Sequence, residues 1–175
     1  MGYTHYLRFK KAVTKKKLSK VSKDVKKAFE LVKIECPNIV IKDGYGENEP
    51  QIDEDAIWFN GDASKNEDYE TFSVRVGDDG LNFCKTGRMP YDVYVCVACL
   101  VLKEHFGDDL CMTSDGIYID DENRGVDIDI LLGGKVYEID DDWQKPIEIY
   151  KIAARKMRGL QPRIASQEVQ GYCIR

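Results

Sequence analysis

Within ten residues, 83–92, the chain places Lys85, Thr86, Arg88, Tyr91 and Asp92 around Gly87 and Pro90. Two cations, a hydroxyl, an aromatic ring and a carboxylate at this spacing suit the capture of an anion. The first turn of a helix leaves backbone N–H groups without partners and carries a partial positive charge, so a helix opening at Pro90 would aim both at a phosphate or carboxylate. Lys85 and Arg88 would add full charges, and Gly87 would let the backbone come close. Tyr91 would stack on a base or ring, while Thr86 and Asp92 would meet a ribose hydroxyl or a phosphate. The segment is no Walker loop, since it lacks the first glycine and the Gly-Lys-Ser/Thr order. The competing structural reading pairs Asp92 with Arg88 and leaves Lys85 solvated among neighbouring acids.

Other chemistry-bearing residues carry less. Cys96 and Cys99 make a C-x-x-C inside an apolar segment with no second pair at zinc-finger spacing, which reads as two buried structural thiols. His5 and His105 have no matched acid or cysteine nearby in sequence, so no metal site is expected. Residues 121–127 faintly resemble a calcium loop, but the glycine comes one position early and Leu132 stands where the bidentate glutamate belongs. Acids are too numerous for any two to stand out as a hydrolytic pair, and no Gly-x-Ser-x-Gly or His-Glu-x-x-His pattern occurs. No catalytic residue and no cofactor are expected.

The elements that must hold the 83–92 corner follow from periodicity. Residues 3–9 alternate large and polar side chains, as a half-buried strand does. From Thr14 onward Leu18, Val21, Val25, Ala28, Phe29 and Val32 recur at three- and four-residue steps, which predicts an amphipathic helix ending before Pro37. Its lysine face reads either as a solvated helix back or as a phosphate- or membrane-surface face. Strand-like runs follow at 39–41, 56–59, 71–76 and 81–84, and Asp79-Gly80 predicts a hairpin in an antiparallel meander. Pro90 opens a segment to Phe106 that is apolar nearly all round, hence a central helix buried against the sheet and stopped by Gly107. Residues 110–113 read as a strand closed by Ser114-Asp115-Gly116. Residues 126–130 and 135–139 read as a second hairpin, and a last helix starts at Pro146 and stops at Gly159. The dipole of that helix favours Asp140, Asp141 and Asp142 just before it.

The predicted fold is therefore α+β: a mainly antiparallel sheet packed against a central buried helix and an N-terminal amphipathic helix, with a C-terminal hairpin-plus-helix extension. A chain of 175 residues is enough for one core, assigned to 1–159, with a core region at 1–116, the extension at 117–159 and a polar tail at 160–175. No run of apolar residues is long enough for a membrane span and the N-terminus has no signal-peptide pattern, so a cytoplasmic protein with no membrane partner is expected. The six cysteines, at 36, 84, 96, 99, 111 and 173, read as reduced thiols.

The formal charge of −5 conceals three unlike segments. Residues 1–33 hold eleven Lys and Arg against two acids, residues 34–143 hold eight against 27, and residues 144–175 hold seven against two. Basic ends and an acidic middle either neutralise one another in the fold or make two opposed faces, and the first is the expectation. An acidic body repels phosphate backbones, so duplex nucleic acid is not an expected partner.

Several motifs together resemble a family. They are the opening Met1-Gly2-Tyr3-Thr4-His5-Tyr6, Phe59-Asn60-Gly61, Glu70-Thr71-Phe72, Phe83-Cys84-Lys85-Thr86 with Arg88, Pro90, Tyr91 and Asp92, His105-Phe106-Gly107-Asp108, and Ser114-Asp115-Gly116. The chain resembles small accessory proteins of bacteriophages and prophages over about two thirds of its length, a family that brings no assured activity. It departs from the pattern at Gly87 and Met89, where Ala and Lys are common. By analogy the resemblance implies a protein of the host-cell cytoplasm that acts against host defence. Joined to the anion corner, it gives a non-catalytic sponge for a phosphorylated or nucleotide-derived small molecule. Lys85, Thr86, Arg88, Tyr91 and Asp92 would hold the ligand and His5, Tyr3 and Asn60 would line the same pocket; sponges often form such pockets between the subunits of a homo-oligomer. The alternatives are a protein–protein inhibitor or adaptor of a host defence enzyme, using the acidic hairpin at 120–142 or the basic helix, and a nucleotide-processing enzyme.

Overall fold

His5, Leu7 and Phe9 are buried at every second position of the first strand, β1 (Thr4–Phe9), Tyr3 just before it continues that buried row, and its outward Arg8 is exposed. The computed structural model describes residues 2–118, 124–127, 138–139 and 141–156. β1 lies between β5 (Gly80–Lys85) and β6 (Leu110–Tyr118), antiparallel to both, with His5 opposite Cys84 on one side and Ser114 on the other. β7 (Arg124–Asp127) and β8 (Glu138–Ile139) complete this five-stranded sheet by pairing with β6. A second, three-stranded sheet runs β2 (Gln51–Ile52), β3 (Ala56–Phe59), β4 (Phe72–Arg75).

Three α-helices among the described residues cover these sheets. α1 (Lys15–Glu35) buries Leu18, Val21, Val25, Ala28, Phe29 and Val32, the stripe expected from periodicity. Thr14 caps it by accepting from the Lys17 amide at 3.2 Å, an N-cap that stabilises by about 1 kcal/mol. Phe29 meets Phe59 and Tyr94 edge-to-face, tying α1 to the small sheet and to α2 (Asp92–Phe106). α2 is buried from Tyr94 through Lys103, so packing overrides the modest helix propensity of its valines. Each apolar side chain fully buried there contributes about 1.5–3 kcal/mol. α3 (Asp141–Lys156) packs on α1 and α2, and its Trp143, Ile149, Tyr150 and Ala153 join the same core.

The α+β class and its two antiparallel sheets match the expectation, while several local elements differ. Residues 39–41 form no strand, because Ile39 turns back onto Cys36 and Lys42 makes only a single bridge to Asn60. The turn expected at Asp79-Gly80 falls at Val76-Gly77, closed by the Asp78 amide donating to the Arg75 carbonyl, while Gly80 already belongs to β5; it closes no hairpin, since β4 pairs with β3 and β5 with β1. Gly77 and Gly80 are both left-handed, at φ 93° and 86°, and the Gly77 amide donates to Val13, so the chain leaves one sheet for the other there. β6 does not stop at Ser114-Asp115-Gly116 but passes through it with a shift of register, which absorbs the turn residues into the strand. Among the described residues β7 and β8 both pair with β6, Tyr118 standing opposite Arg124 on one side and Glu138 on the other; the rest of the expected 126–130/135–139 hairpin lies outside the described residues. α3 starts five residues before Pro146, with Asp141 and Asp142 in its first turn, where the dipole favours them. Burial of Trp143 in that turn outweighs the one backbone bond a proline removes. Most of the acidic hairpin, the Gly159 stop and the tail at 160–175 lie outside the described residues.

The charged segments neutralise one another at several points. Lys11 pairs with Asp109 at 2.8 Å, and Lys15 with Asp55 at 2.8 Å and Glu54 at 3.2 Å. Lys27 and Lys33 pair along α1 with Asp24 and Glu30. No helix among the described residues is long and apolar enough to cross a membrane.

Candidate functional site

The corner between β5 and α2 has an inner and an outer face. It is stitched to the start of β1, because the Thr86 and Gly87 amides both donate to the Tyr3 carbonyl, at 2.9 and 3.2 Å. The Met89 amide donates to Thr86 and the Asp92 amide to Met89. The Lys85 amide is taken by the Glu70 carboxylate at 2.8 Å, so an anion of the chain itself already sits at the corner. The backbone cradle expected from the sequence is therefore spent on internal bonds, and an external anion has to be met by side chains.

The inner face is a buried polar cluster. Asp92, 6 % exposed in the first turn of α2, accepts at Oδ1 from the Thr86 hydroxyl and from His5 Nε2, the latter at 2.8 Å. One helical turn on, the Cys96 thiol donates to Asp92 Oδ2 at 3.5 Å. Burial pushes that thiol well above its usual range, and the Asp92 charge adds to the effect. β1 delivers His5 because odd residues of that strand face inward, and Tyr3 and Trp143 pack against its imidazole nearly at right angles, with centroids at 5.3 and 5.6 Å. Trp143 is itself held by a bond from Nε1 to Ser114 Oγ at 3.1 Å. His5 Nδ1 has no hydrogen-bond partner among the described residues.

The outer face belongs to Arg88. Its φ of 63° puts a non-glycine residue in the left-handed region, next to Gly87 at 59°. The guanidinium lies over the Tyr3 ring at 4.3 Å and bonds Asp142 at 2.5 Å. A pocket of about 310 Å³ opens here between the first turns of α2 and α3 and the C-terminal end of α1. Ile39, Met89, Pro90, Val93 and Pro146 supply apolar wall, and Arg88, Lys145, Asp92, Asp141 and Asp142 supply charge. Lys145 Nζ donates to the Glu35 carbonyl at 3.0 Å.

Of the eight residues singled out from the sequence, Tyr3, His5, Thr86, Arg88 and Asp92 converge on this corner. Lys85 lies on its far side, with Nζ 5.7 Å from the Tyr69 ring. Tyr91 is 0 % exposed and donates to the Glu70 carbonyl at 2.7 Å, so its ring is core and offers no face to a base. Burial raises its phenol as it raises the Cys84 thiol beside it. Asn60 sits apart, bridging the 43–48 loop and Tyr69 through bonds to Gly44, Gly61 and Tyr69. Asp92 pairs with His5 and Thr86, not with Arg88. His105 meets Asp24 at 3.0 Å, so each histidine has found an aspartate far away in sequence.

Sequence reasoning missed Cys96, Trp143 and Lys145 as neighbours of the corner. The four-residue step from Asp92 to Cys96 was a usable signal; nothing local marks Trp143 or Lys145. No family model, no curated protein and no solved structure matches this chain. The geometry of the corner is the ground on which its function rests.

Proposed function

We propose that the protein is a non-catalytic binding protein that sequesters a small phosphorylated or nucleotide-derived molecule, in the manner of a phage accessory protein acting against a host defence signal. The pocket beside Arg88 carries this reading. Arg88 and Lys145 stand in its wall, and Met89, Pro90, Val93 and Pro146 give a ring somewhere to pack. A ligand phosphate would replace the Asp142 carboxylate on Arg88, exchanging one anion for another at the same donor. The left-handed backbone at Arg88, in a residue with a Cβ, supports a positioned rather than incidental guanidinium. At about 310 Å³ the pocket is at the small end of the range for ligand sites, roughly 300–1,000 Å³, which favours a compact ligand.

Release of small molecules from purified, denatured protein, read by mass spectrometry, tests this together with calorimetric titration of phosphorylated nucleosides. A bound phosphorylated species is expected, with affinity falling at least about tenfold in Arg88→Ala/Lys145→Ala, the loss of roughly one charge-assisted bond. No binding of any offered or copurified phosphorylated compound, or equal binding by the double variant, overturns it. Turnover of the ligand would instead support the enzyme reading, and a stable host protein retained without any small molecule would support the inhibitor reading.

A further inference from the structure

We propose that His5, Asp92 and Cys96 form a buried binding site for one divalent transition-metal ion of the zinc class, with the Thr86 hydroxyl beside it. One ligand atom from each of the three residues lies within 4.8 Å of the other two, and all three residues are buried. The donor set is chemically selective: an imidazole, a carboxylate and a thiolate make the mixed, borderline-soft environment that zinc takes with four-coordinate geometry. Metal–donor distances of about 2.0–2.3 Å in a tetrahedron hold donors roughly 3.3–3.7 Å apart. His5 Nε2 stands 2.8 Å from Asp92 Oδ1 and Cys96 Sγ 3.5 Å from Asp92 Oδ2, so the two donors flank opposite oxygens of one carboxylate, which has to turn and open slightly to seat an ion among all three.

Charge and burial agree with this donor set. A dication with the Asp92 carboxylate and a Cys96 thiolate sums to zero, which a buried site can hold, whereas an unpaired buried charge is strongly disfavoured. The thiol proton passes to solvent as the sulfur–metal bond forms. His5 supplies the second observation. It is 1 % exposed, its Nε2 is engaged by Asp92, and its Nδ1 has no partner among the described residues. A buried polar atom left in this state asks for an explanation beyond packing. An ion on Nε2 moves the ring proton to Nδ1 of an imidazole that the Tyr3 and Trp143 rings flank edge-on, with centroids at 5.3 and 5.6 Å. Asp92 also lines the open pocket, which gives the ion a route in. The inference does not depend on the proposed ligand, since neither Arg88 nor Lys145 is a donor.

Titration of the chelator-treated full chain with Co²⁺ and then Zn²⁺ tests the site. One equivalent of Co²⁺ is expected to give the visible bands of a tetrahedral ion and a near-ultraviolet thiolate charge-transfer band, both abolished by one equivalent of Zn²⁺. Cys96→Ser, nearly isosteric, is expected to lose the charge-transfer band and to weaken zinc binding by more than about 100-fold, beyond what loss of an outer-shell partner costs. Cys99→Ser, equally buried three residues on in the same helix, is the matched control and keeps both. Thermal unfolding of each variant without metal verifies that it is folded. Absence of a stoichiometric cobalt–thiolate spectrum in the wild-type chain overturns the proposal. A spectrum that survives Cys96→Ser, or is lost equally in Cys99→Ser, does so too.

Discussion

Among the described residues, the buried polar groups around Asp43 and Asn60 and those at the β5–α2 corner take partners that differ in kind. In the loop before β2, Asp43 accepts from the Tyr45 and Glu47 amides at 3.0 and 3.1 Å and from Asn48 at 2.9 Å. Asn60 accepts from the Gly61 and Tyr69 amides at 2.8 and 3.1 Å, and donates to the Tyr69 carbonyl at 3.0 Å. These side chains satisfy backbone, which is what a segment without strand or helix needs. At the corner, His5, Thr86, Asp92 and Cys96 bond to one another instead, and one imidazole nitrogen is left over. A side chain spent on backbone explains itself structurally. A cluster of titratable side chains spent on each other, with an atom in surplus, is where chemistry is to be sought.

The largest effect that would break this comparison is expected at the corner's cover. Trp143→Ala removes a fully buried ring that packs on His5 and anchors α3, and should cost about 3–5 kcal/mol by urea denaturation. A cost below about 1 kcal/mol would mean that α3 is not docked over the cluster. Asn60→Ala strips the loop of its side-chain bonds and should cost roughly 2–3 kcal/mol, while leaving ligand and metal binding as they are. Loss of binding without loss of stability would reverse the assignment of the two constellations.

Thr86→Val keeps the shape of a side chain that is 0 % exposed but deletes a donor to Asp92, and should cost about 1–2 kcal/mol, with Thr86→Ser costing less. Smaller still is the pH signature of the loop. Asp43 is held below its ordinary value of 3.8, first by the Asn48 side chain and then by the Glu47 amide. Its contribution is thus fully present above about pH 3.8 and fades as pH falls through the lower folded value. The stability gap between wild type and Asp43→Ala should be flat near neutrality and close in that acid window, as read by denaturation at a series of pH values. The smallest stability effect is expected on the outer face: Arg88→Ala breaks a half-exposed ion pair and should cost less than about 1 kcal/mol while removing the main anion donor of the pocket.

Much of the scaffold was legible because local period and burial coincide. The α1 stripe, the alternation of β1 and the apolar run of α2 each carry their own pattern, and each was found at nearly the expected bounds. Pairing was not legible in the same way. A turn signal such as Asp79-Gly80 reports that the chain reverses nearby, not which neighbour each strand then takes, and here the turn falls at Val76-Gly77, where a tether to Val13 sends β4 and β5 into different sheets. The site was half legible. Arg88, Thr86 and Asp92 lie in one segment, but Tyr91, equally conspicuous in sequence, turned inward because the residue before α2 faces the core.

By itself the sequence determined the α+β class, the three helices among the described residues and the local strand-to-helix corner proposed as the site, since hydrophobic period, proline and glycine act over a few residues. Only the tertiary structure decided which residues meet there. His5 and Asp92 are separated by 87 positions and Arg88 and Asp142 by 54, and their contacts depend on which strand lies beside which and on where α3 docks. Those choices rest on the summed burial of many side chains, and no short stretch of residues contains that sum.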